Sequence, residues 1–188
     1  MHVVTHVLSG WCAGNLFRLS ARERVCCMAA ASLADLDGLG ILVSQNAYWN
    51  YHHKLTHNLP FGLLVTIALV LISKRRVLAS VLYLALFHLH LLMDYFGSGR
   101  GWPIYYLWPF SNWAIDNTHA SWEFYSWQNI SIGLALIIWT FWIAIRMGRT
   151  PIELPMPNLD RQIVAWLRQR FTRREHVVVS TSDTRDRV

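Results

Sequence analysis

Charged side chains are scarce in this chain of 188 residues, at 15% of the sequence, well below the quarter or so of a soluble domain. Cysteine is scarce too. Cys12, Cys26 and Cys27 form no C-x-x-C pair, which excludes a disulfide framework and a thiolate zinc knuckle. The first residues lack the positively charged segment of a signal peptide. We therefore expect insertion into a membrane through uncleaved spans.

Apolar residues dominate what is present, at 54% of the sequence, with ten tryptophans. The net charge of +6 would suit a nucleic-acid partner. However, the basic residues flank apolar runs, which is typical of the cytoplasmic ends of membrane helices. We predict a membrane protein with no nucleic-acid partner, and the sequence leaves the oligomeric state open.

Five apolar segments predict membrane helices. They cover residues 3–17, 25–43, 59–73, 77–93 and 130–147. The predicted fold class is therefore all-α, a polytopic helical membrane bundle of about five helices plus a C-terminal amphipathic helix. Residues 1–150 form the membrane-embedded domain in this interpretation.

The remaining sequence predicts two further parts. Residues 151–171 predict an interfacial amphipathic helix that Asn158 caps. Its apolar positions are Leu159, Ile163, Leu167 and Phe171. Residues 172–188 are polar and predict a disordered basic tail.

Basic clusters lie at one end of the predicted spans, and ligand-type side chains lie at the other. If the basic ends are cytoplasmic, only Lys54 and Arg100 of the 17 lysines and arginines lie outside. The positive-inside rule thus predicts a cytoplasmic (inner) membrane protein whose N-terminus and polar cluster face the non-cytoplasmic side.

Histidines and carboxylates with ligand-like placement gather at that outer end. They are His6, Asp35, Asp37, His52, His57, His90, Asp94, His119 and Glu123. His90 and Asp94 are four residues apart, so on a helix both project from one face toward a single ion, and His119 and Glu123 repeat the spacing. His53 lies beside His52 and four residues before His57, so either His52 or His53 is the ligand there. His88 projects to the opposite side and is left out.

A structural network of salt bridges and hydrogen bonds is the alternative to a metal. Acids near a membrane are costly unless a cation or partner neutralises them, and Lys54 and Arg100 are the only fixed cations on that face. A metal therefore accounts better for the excess of ligands. Because the ligands outnumber the four that one zinc accepts, we predict two or three divalent ions, most consistent with Zn, with Mn or Fe also open.

The order of these motifs resembles the YdjM-like (LexA-regulated type) membrane-bound metal-dependent hydrolase family. The resemblance rests on Asp35-Leu36-Asp37, on the His52–His57 segment, on His90-x3-Asp94 and on Leu107-Trp108-Pro109-Phe110. The chain departs from the family pattern in three places. Ala34 stands where the family has proline, Gly38 where it has histidine and His53 where it has arginine. A looser similarity links the His/acid pairs to zinc-dependent phospholipase C.

The resemblance implies a hydrolase that cleaves its substrate through a metal-activated water. We expect a phosphoester of a membrane lipid or lipid-linked substrate, with Lys54 or Arg100 binding its oxygens and Asp35 or Glu123 acting as general base. A divalent-metal-binding membrane protein or transporter without hydrolytic activity is the alternative. A transporter would hold its ligands near the middle of the bilayer, whereas these lie at helix ends.

The predicted topology can be tested by cysteine labelling. A cysteine introduced at Ser98 is expected to react with a membrane-impermeant reagent in intact cells, and one at Ser182 is expected to be protected. Labelling at Ser182 alone would invert the topology.

Overall fold

Seven α-helices and one 3-10 helix make up the computed structural model, which describes residues 1–172. They are α1 (Val3–Gly14), α2 (Ala21–Ser32), the 3-10 helix Leu33–Leu42, α3 (Gln45–Tyr51), α4 (Leu59–Leu71), α5 (Arg76–Gly97), α6 (Trp127–Met147) and α7 (Pro157–Phe171). No strand occurs in the described part of the chain, where one isolated antiparallel bridge joins Ile104 and Ile115. The predicted all-helical fold is therefore confirmed.

The chain divides into two compact units, Met1–Thr140 and Phe141–Val188. Among the described residues, three helical segments are long and apolar enough to cross a membrane: Ala21–Leu42, Arg76–Gly97 and Trp127–Met147. The apolar α4 is shorter. All five predicted apolar segments are helical, although the second consists of α2 continued by the 3-10 helix. The short α3 was not predicted.

In the first unit, α1 packs very closely against α2. Gly10 and Gly14 stand one turn apart on α1, and both face Cys27 of α2. A methyl group at Gly10 would come within 2.4 Å of the Cys27 carbonyl oxygen. Small residues at this spacing let the backbones of two membrane helices approach each other. The contact fixes α1, and with it His6, relative to α2.

The basic end of this unit is held together by Glu23. The Ser20 hydroxyl and the Glu23 carboxylate form a capping box at the start of α2. The same carboxylate accepts hydrogen bonds from the backbone N–H groups of Lys74 and Arg75, at 3.1 and 3.2 Å. The two basic clusters of this unit are therefore adjacent in space. Asp94 lies 18 residues along α5 from Arg76, which is about 27 Å at the rise of an α-helix.

The loop between α5 and α6 is held by two buried asparagines. Asn117 donates to the Gly99 carbonyl at 2.9 Å and accepts from the Trp102 N–H at 3.2 Å. Asn129 donates to the Gly97 carbonyl at 2.8 Å. Gly99 needs a glycine because its φ is +90°. These bonds fix the loop against the end of α5 that carries Asp94.

The second unit differs from the prediction in its details. Pro157 begins α7, because it lacks an N–H and its φ suits the first helical position. Asn158 is thus inside the helix and accepts from Arg161 at 2.6 Å, so the predicted Asn158 cap is wrong. The buried apolar residues of α7 are Val164 and Leu167. Of the predicted stripe, Leu159 and Phe171 are exposed, and Ile163 is partly buried.

Residues 173–188 lie outside the described residues. They include His176 and most of the predicted tail. The predicted tail therefore stays a prediction.

The close contact between α1 and α2 predicts that Gly10→Ala destabilises the protein. The methyl group would meet backbone that cannot rotate away, so we expect a loss of roughly 1–3 kcal/mol. The measurement is the thermal unfolding midpoint in detergent, followed by tryptophan fluorescence. Gly133→Ala is the matched control, because its methyl group would have no neighbour closer than 3.9 Å. An equal midpoint for both variants would contradict this packing.

Candidate metal centre

The last turns of α5 provide one side of a buried polar cluster. His90 and Asp94 are each 1% exposed, and they project from the same face of the helix. The Nδ1 atom of His90 lies 2.8 Å from the Ala31 carbonyl oxygen. Since a carbonyl only accepts, Nδ1 carries the hydrogen. In the neutral ring, the lone pair of Nε2 therefore points into the cluster.

The segment between α3 and α4 provides two more imidazoles with the same arrangement. Nδ1 of His57 lies 3.0 Å from Asp37 Oδ2, and Nδ1 of His53 lies 3.3 Å from the Trp102 carbonyl oxygen. Each ring thus turns its Nε2 inward. His53 adopts a left-handed backbone conformation, with φ at 64°. Such conformations are uncommon outside glycine and concentrate at functional sites.

The three Nε2 atoms converge on one carboxylate oxygen. Asp94 Oδ2 lies 3.0 Å from the Nε2 of His90, 3.2 Å from that of His57 and 3.8 Å from that of His53. The Nε2 atoms of His57 and His90 are only 3.2 Å apart. Two lone pairs at that separation repel unless a proton or a cation lies between them. A divalent cation fits this set of donors, and imidazole with carboxylate suits zinc.

A second group of ligands shares His90 and Asp94 with the first. His6 Nε2 lies 3.1 Å from Asp94 Oδ1, and Asp35 Oδ1 lies 3.7 Å from His90 Nε2. His6 Nδ1 and Asp35 Oδ2 are buried without a hydrogen-bond partner among the described residues. Buried polar atoms are normally satisfied, so these two atoms favour a cation or a water bound beside them. The amino group of Met1 contacts Asp94 Oδ1 as well.

Asp37 occupies a different position, behind the imidazoles. Its Oδ1 lies 2.7 Å from His52 Nδ1, while its Oδ2 lies 3.0 Å from His57 Nδ1 and 3.3 Å from the Thr56 backbone nitrogen. Both oxygens are therefore occupied by protein hydrogen-bond donors. A carboxylate that receives the outer N–H of a ligating histidine orients the ring and raises its basicity. This geometry favours Asp37 as an orienting residue.

The two imidazoles of this loop differ in pKa. Burial, followed by the nearby charge of His57, lowers the pKa of His53 well below its usual value. Burial acts in the same direction on His57, but its hydrogen bonds and charge interactions with Asp37 and Asp94 raise its pKa to about 9. The lowered pKa of His53 favours the neutral ring, the form that binds a metal, whereas His57 would have to release a proton to bind one.

The structure brings most of the predicted ligands together. His6, Asp35, Asp37, His52, His57, His90 and Asp94 all fall in groups whose ligand atoms lie within 4.8 Å of one another. His53, which the sequence left open, joins them. Its spacing of four residues before His57 was the available signal. His88 lies outside these groups and contacts the Leu84 carbonyl and the Tyr106 hydroxyl, both at 2.8 Å.

The structure does not place His119 and Glu123 in these groups. Both lie in the non-helical segment before α6, and both are exposed. The prediction that they share one face of a helix is therefore wrong, because the segment is held as a loop by Asn117 and Asn129.

Lys54 is half-buried, with its Nζ 4.9 Å from the centroid of the Tyr105 ring. Arg100 is exposed. The substrate-binding role of Lys54 and Arg100 stays a prediction.

The fold and the cluster define a class, a helical membrane protein with a buried His/Asp cluster that can hold a metal ion. The family model for the YdjM inner membrane protein matches residues 1–177. The chain belongs to this family, and the resemblance seen in the motifs is confirmed. No curated protein and no solved structure is significantly similar to the chain, so the looser similarity to zinc-dependent phospholipase C has no support here. The family and the apolar helices support a location in the membrane.

Asp37 and Asp94 are expected to respond differently to the same substitution. Asp37→Asn should lower metal affinity by roughly 10–100-fold and keep the full stoichiometry at saturating metal, since it removes only an orienting contact. Asp94→Asn should lower the stoichiometry even at saturation. The measurement is elemental analysis of detergent-purified protein across a zinc titration, with circular dichroism to confirm folding. Equal loss of bound metal in both variants would make Asp37 a ligand.

Proposed function

We propose that this protein is a membrane-bound metal-dependent hydrolase that cleaves a phosphoester of a lipid or lipid-linked substrate. The observation that carries the proposal is the convergence of three imidazole Nε2 atoms on the Asp94 carboxylate, each ring fixed through its Nδ1 atom. Hydrolytic metal sites are built in this way, from histidines oriented by carbonyl or carboxylate acceptors.

The two oxygens of Asp94 face different ligands. Oδ2 faces His53, His57 and His90, whereas Oδ1 faces His6. One carboxylate shared in this way suits a site for two ions. Divalent ions held here would lower the pKa of a water and polarise the phosphoryl oxygens. The protein's own contribution is to hold the imidazoles in fixed orientations around one small volume.

Asp35 is the carboxylate best placed to accept a proton. Its side chain is 14% exposed, and the His52 side chain is 13% exposed, while those of His6, His57, His90 and Asp94 are almost fully buried. Asp35 and His52 are the most exposed side chains of the cluster, so we propose that water and substrate enter past them. The Oδ2 atom of Asp35 has no hydrogen-bond partner among the described residues. It is free to take the proton of the attacking water, as a general base does.

The surroundings of the cluster support a lipid-type substrate. Asp94 lies at one end of the candidate span Arg76–Gly97, about 27 Å from the basic end of the same helix, and His90 lies one turn before it. A site at this depth meets the headgroup layer of one leaflet. A phosphate in that layer can reach the cluster while the rest of the lipid stays in the bilayer. Lys54, which directly follows His53, would bind the phosphate oxygens.

The proposed reaction can be tested with purified protein in mixed micelles. It should hydrolyse a phosphoester or phospholipid, and a chelator should abolish the activity until zinc is restored. His90→Ala should lose metal and activity together. Asp35→Asn should lower kcat by roughly 10²–10⁴-fold, the usual contribution of a general base, and lose less metal than His90→Ala. Glu123→Gln provides the comparison, and a kcat loss in this variant alone would assign the base to Glu123.

The same preparation distinguishes hydrolysis from transport. Sealed proteoliposomes should accumulate no divalent metal beyond empty vesicles. Metal uptake that His90→Ala abolishes, together with no hydrolysis across a panel of phosphoesters, would contradict the proposal and favour a transporter.

A further inference from the structure

An open apolar groove of about 670 Å³ runs along the outer face of α5. This volume lies in the range of pockets that bind small ligands, roughly 300–1,000 Å³. Its α5 side includes Ala85, Leu89, Leu92 and Tyr95, and its other wall includes Ile104 and Tyr106. His90 and Asp94 project from the opposite face of the same helix. The groove is therefore separate from the metal-binding cluster, although both are built on α5.

Two of the polar groups in the groove, the His88 ring and the Tyr106 hydroxyl, are already engaged with each other or with the backbone. The His88 ring bonds to the Leu84 carbonyl through Nδ1 and to the Tyr106 hydroxyl through Nε2, both at 2.8 Å. The other α5 residues that line the groove are hydrocarbon apart from Tyr95. A polar ligand would find few free partners here and would lose its hydration. The lining therefore selects an apolar occupant.

The length and position of the groove match one leaflet of a bilayer. From Ala85 to Tyr95, α5 rises about 15 Å, which is half of the roughly 30 Å hydrocarbon core. This stretch belongs to the candidate span Arg76–Gly97, and it lies in the half of the span nearest the cluster. The surrounding medium at that depth is hydrocarbon, and an apolar groove of this length suits one extended acyl chain.

The Ile104–Tyr106 wall of the groove is hydrogen-bonded to the segment that carries His53 and His57 and to the start of α4. The Tyr106 carbonyl accepts from the Leu59 N–H at 2.8 Å, and the Tyr105 N–H donates to the His53 carbonyl at 3.5 Å. On the α5 side of the groove, Leu91 follows His90 directly in the sequence. Both walls of the groove are thus continuous with residues that carry the cluster.

We infer that the groove binds one acyl chain of a membrane lipid and so selects a lipid that stays in the bilayer over a water-soluble phosphoester. This inference rests on the proposed function for its link to catalysis, while the binding itself does not depend on hydrolysis. The Ile104–Tyr106 wall connects chain binding to the loop that holds His53.

The binding is tested by photocrosslinking in proteoliposomes of phosphatidylethanolamine and phosphatidylglycerol. The probe is a phosphatidylglycerol that carries a diazirine in the middle of one acyl chain, and labelled peptides are identified by mass spectrometry. Labelling should concentrate on the α5 peptide that contains Leu89 and Leu92. Ala85→Phe should reduce it roughly tenfold, the effect of excluding about two methylene groups from apolar contact. Leu92→Trp fills the groove two turns further along and serves as a second variant.

Val81→Phe is the matched control, because Val81 is exposed on the same helix one turn before the groove. It should be labelled as strongly as the unmodified protein. Unchanged labelling in both Ala85→Phe and Leu92→Trp, or equal reduction in Val81→Phe, would overturn the groove as a chain-binding site.

Hydrolysis provides an independent measurement on the same variants. Ala85→Phe should raise the KM for a long-chain phospholipid and leave that for a short-chain, water-soluble phosphoester unchanged. Labelling of the groove without hydrolysis of any substrate would refute the proposed function and support the chain-binding site. An unchanged KM for the long-chain lipid, with labelling abolished, would overturn the role of the groove in selecting the substrate.

Discussion

The cost of burying the Asp94 carboxylate governs the arrangement of this end of the molecule. A carboxylate that is 1% exposed at the end of an apolar helix must be neutralised and hydrogen-bonded, because an unpaired charge there costs several kcal/mol. The amino group of Met1 and imidazoles from several elements of the first unit surround this carboxylate. His6 comes from α1, His53 and His57 from the loop before α4, and His90 from α5 itself.

The supporting contacts keep these donors in place without using metal ligands. Asn58 caps α4 through its side chain and donates to the Lys54 and Leu55 carbonyls, both at 2.9 Å. The loop of His53 and His57 is therefore tied to the start of α4. The Trp102 carbonyl, which lies in the loop after α5, fixes His53 from the other side. Two loops that are distant in sequence thus depend on each other.

The sequence could predict the parts of this architecture that are set by composition and spacing. Apolar runs predicted the helices. The four-residue spacing of His90 and Asp94 predicted that both side chains lie on one face of a helix. It could not predict acceptors that are backbone carbonyls, such as those of Ala31 and Trp102, because every residue has one. Prediction from the sequence also failed where tertiary contacts override the local sequence pattern. His119 and Glu123 have helical spacing, but the bonds of Asn117 and Asn129 hold their segment as a loop. The left-handed backbone of His53 had no distinguishing signal.

The position of Asp37 has a consequence for how this protein can change over evolutionary time. One carboxylate binds the Nδ1 atoms of both His52 and His57. Loss of the His52 ring leaves Oδ1 without that partner, and loss of the His57 ring leaves Oδ2 with the Thr56 backbone N–H alone. Substitutions at these three positions are then not independent, and a lineage that replaces one must replace or compensate the others. The 3-10 helix that carries Asp37 and the loop that carries His52 and His57 are therefore expected to be inherited as a unit.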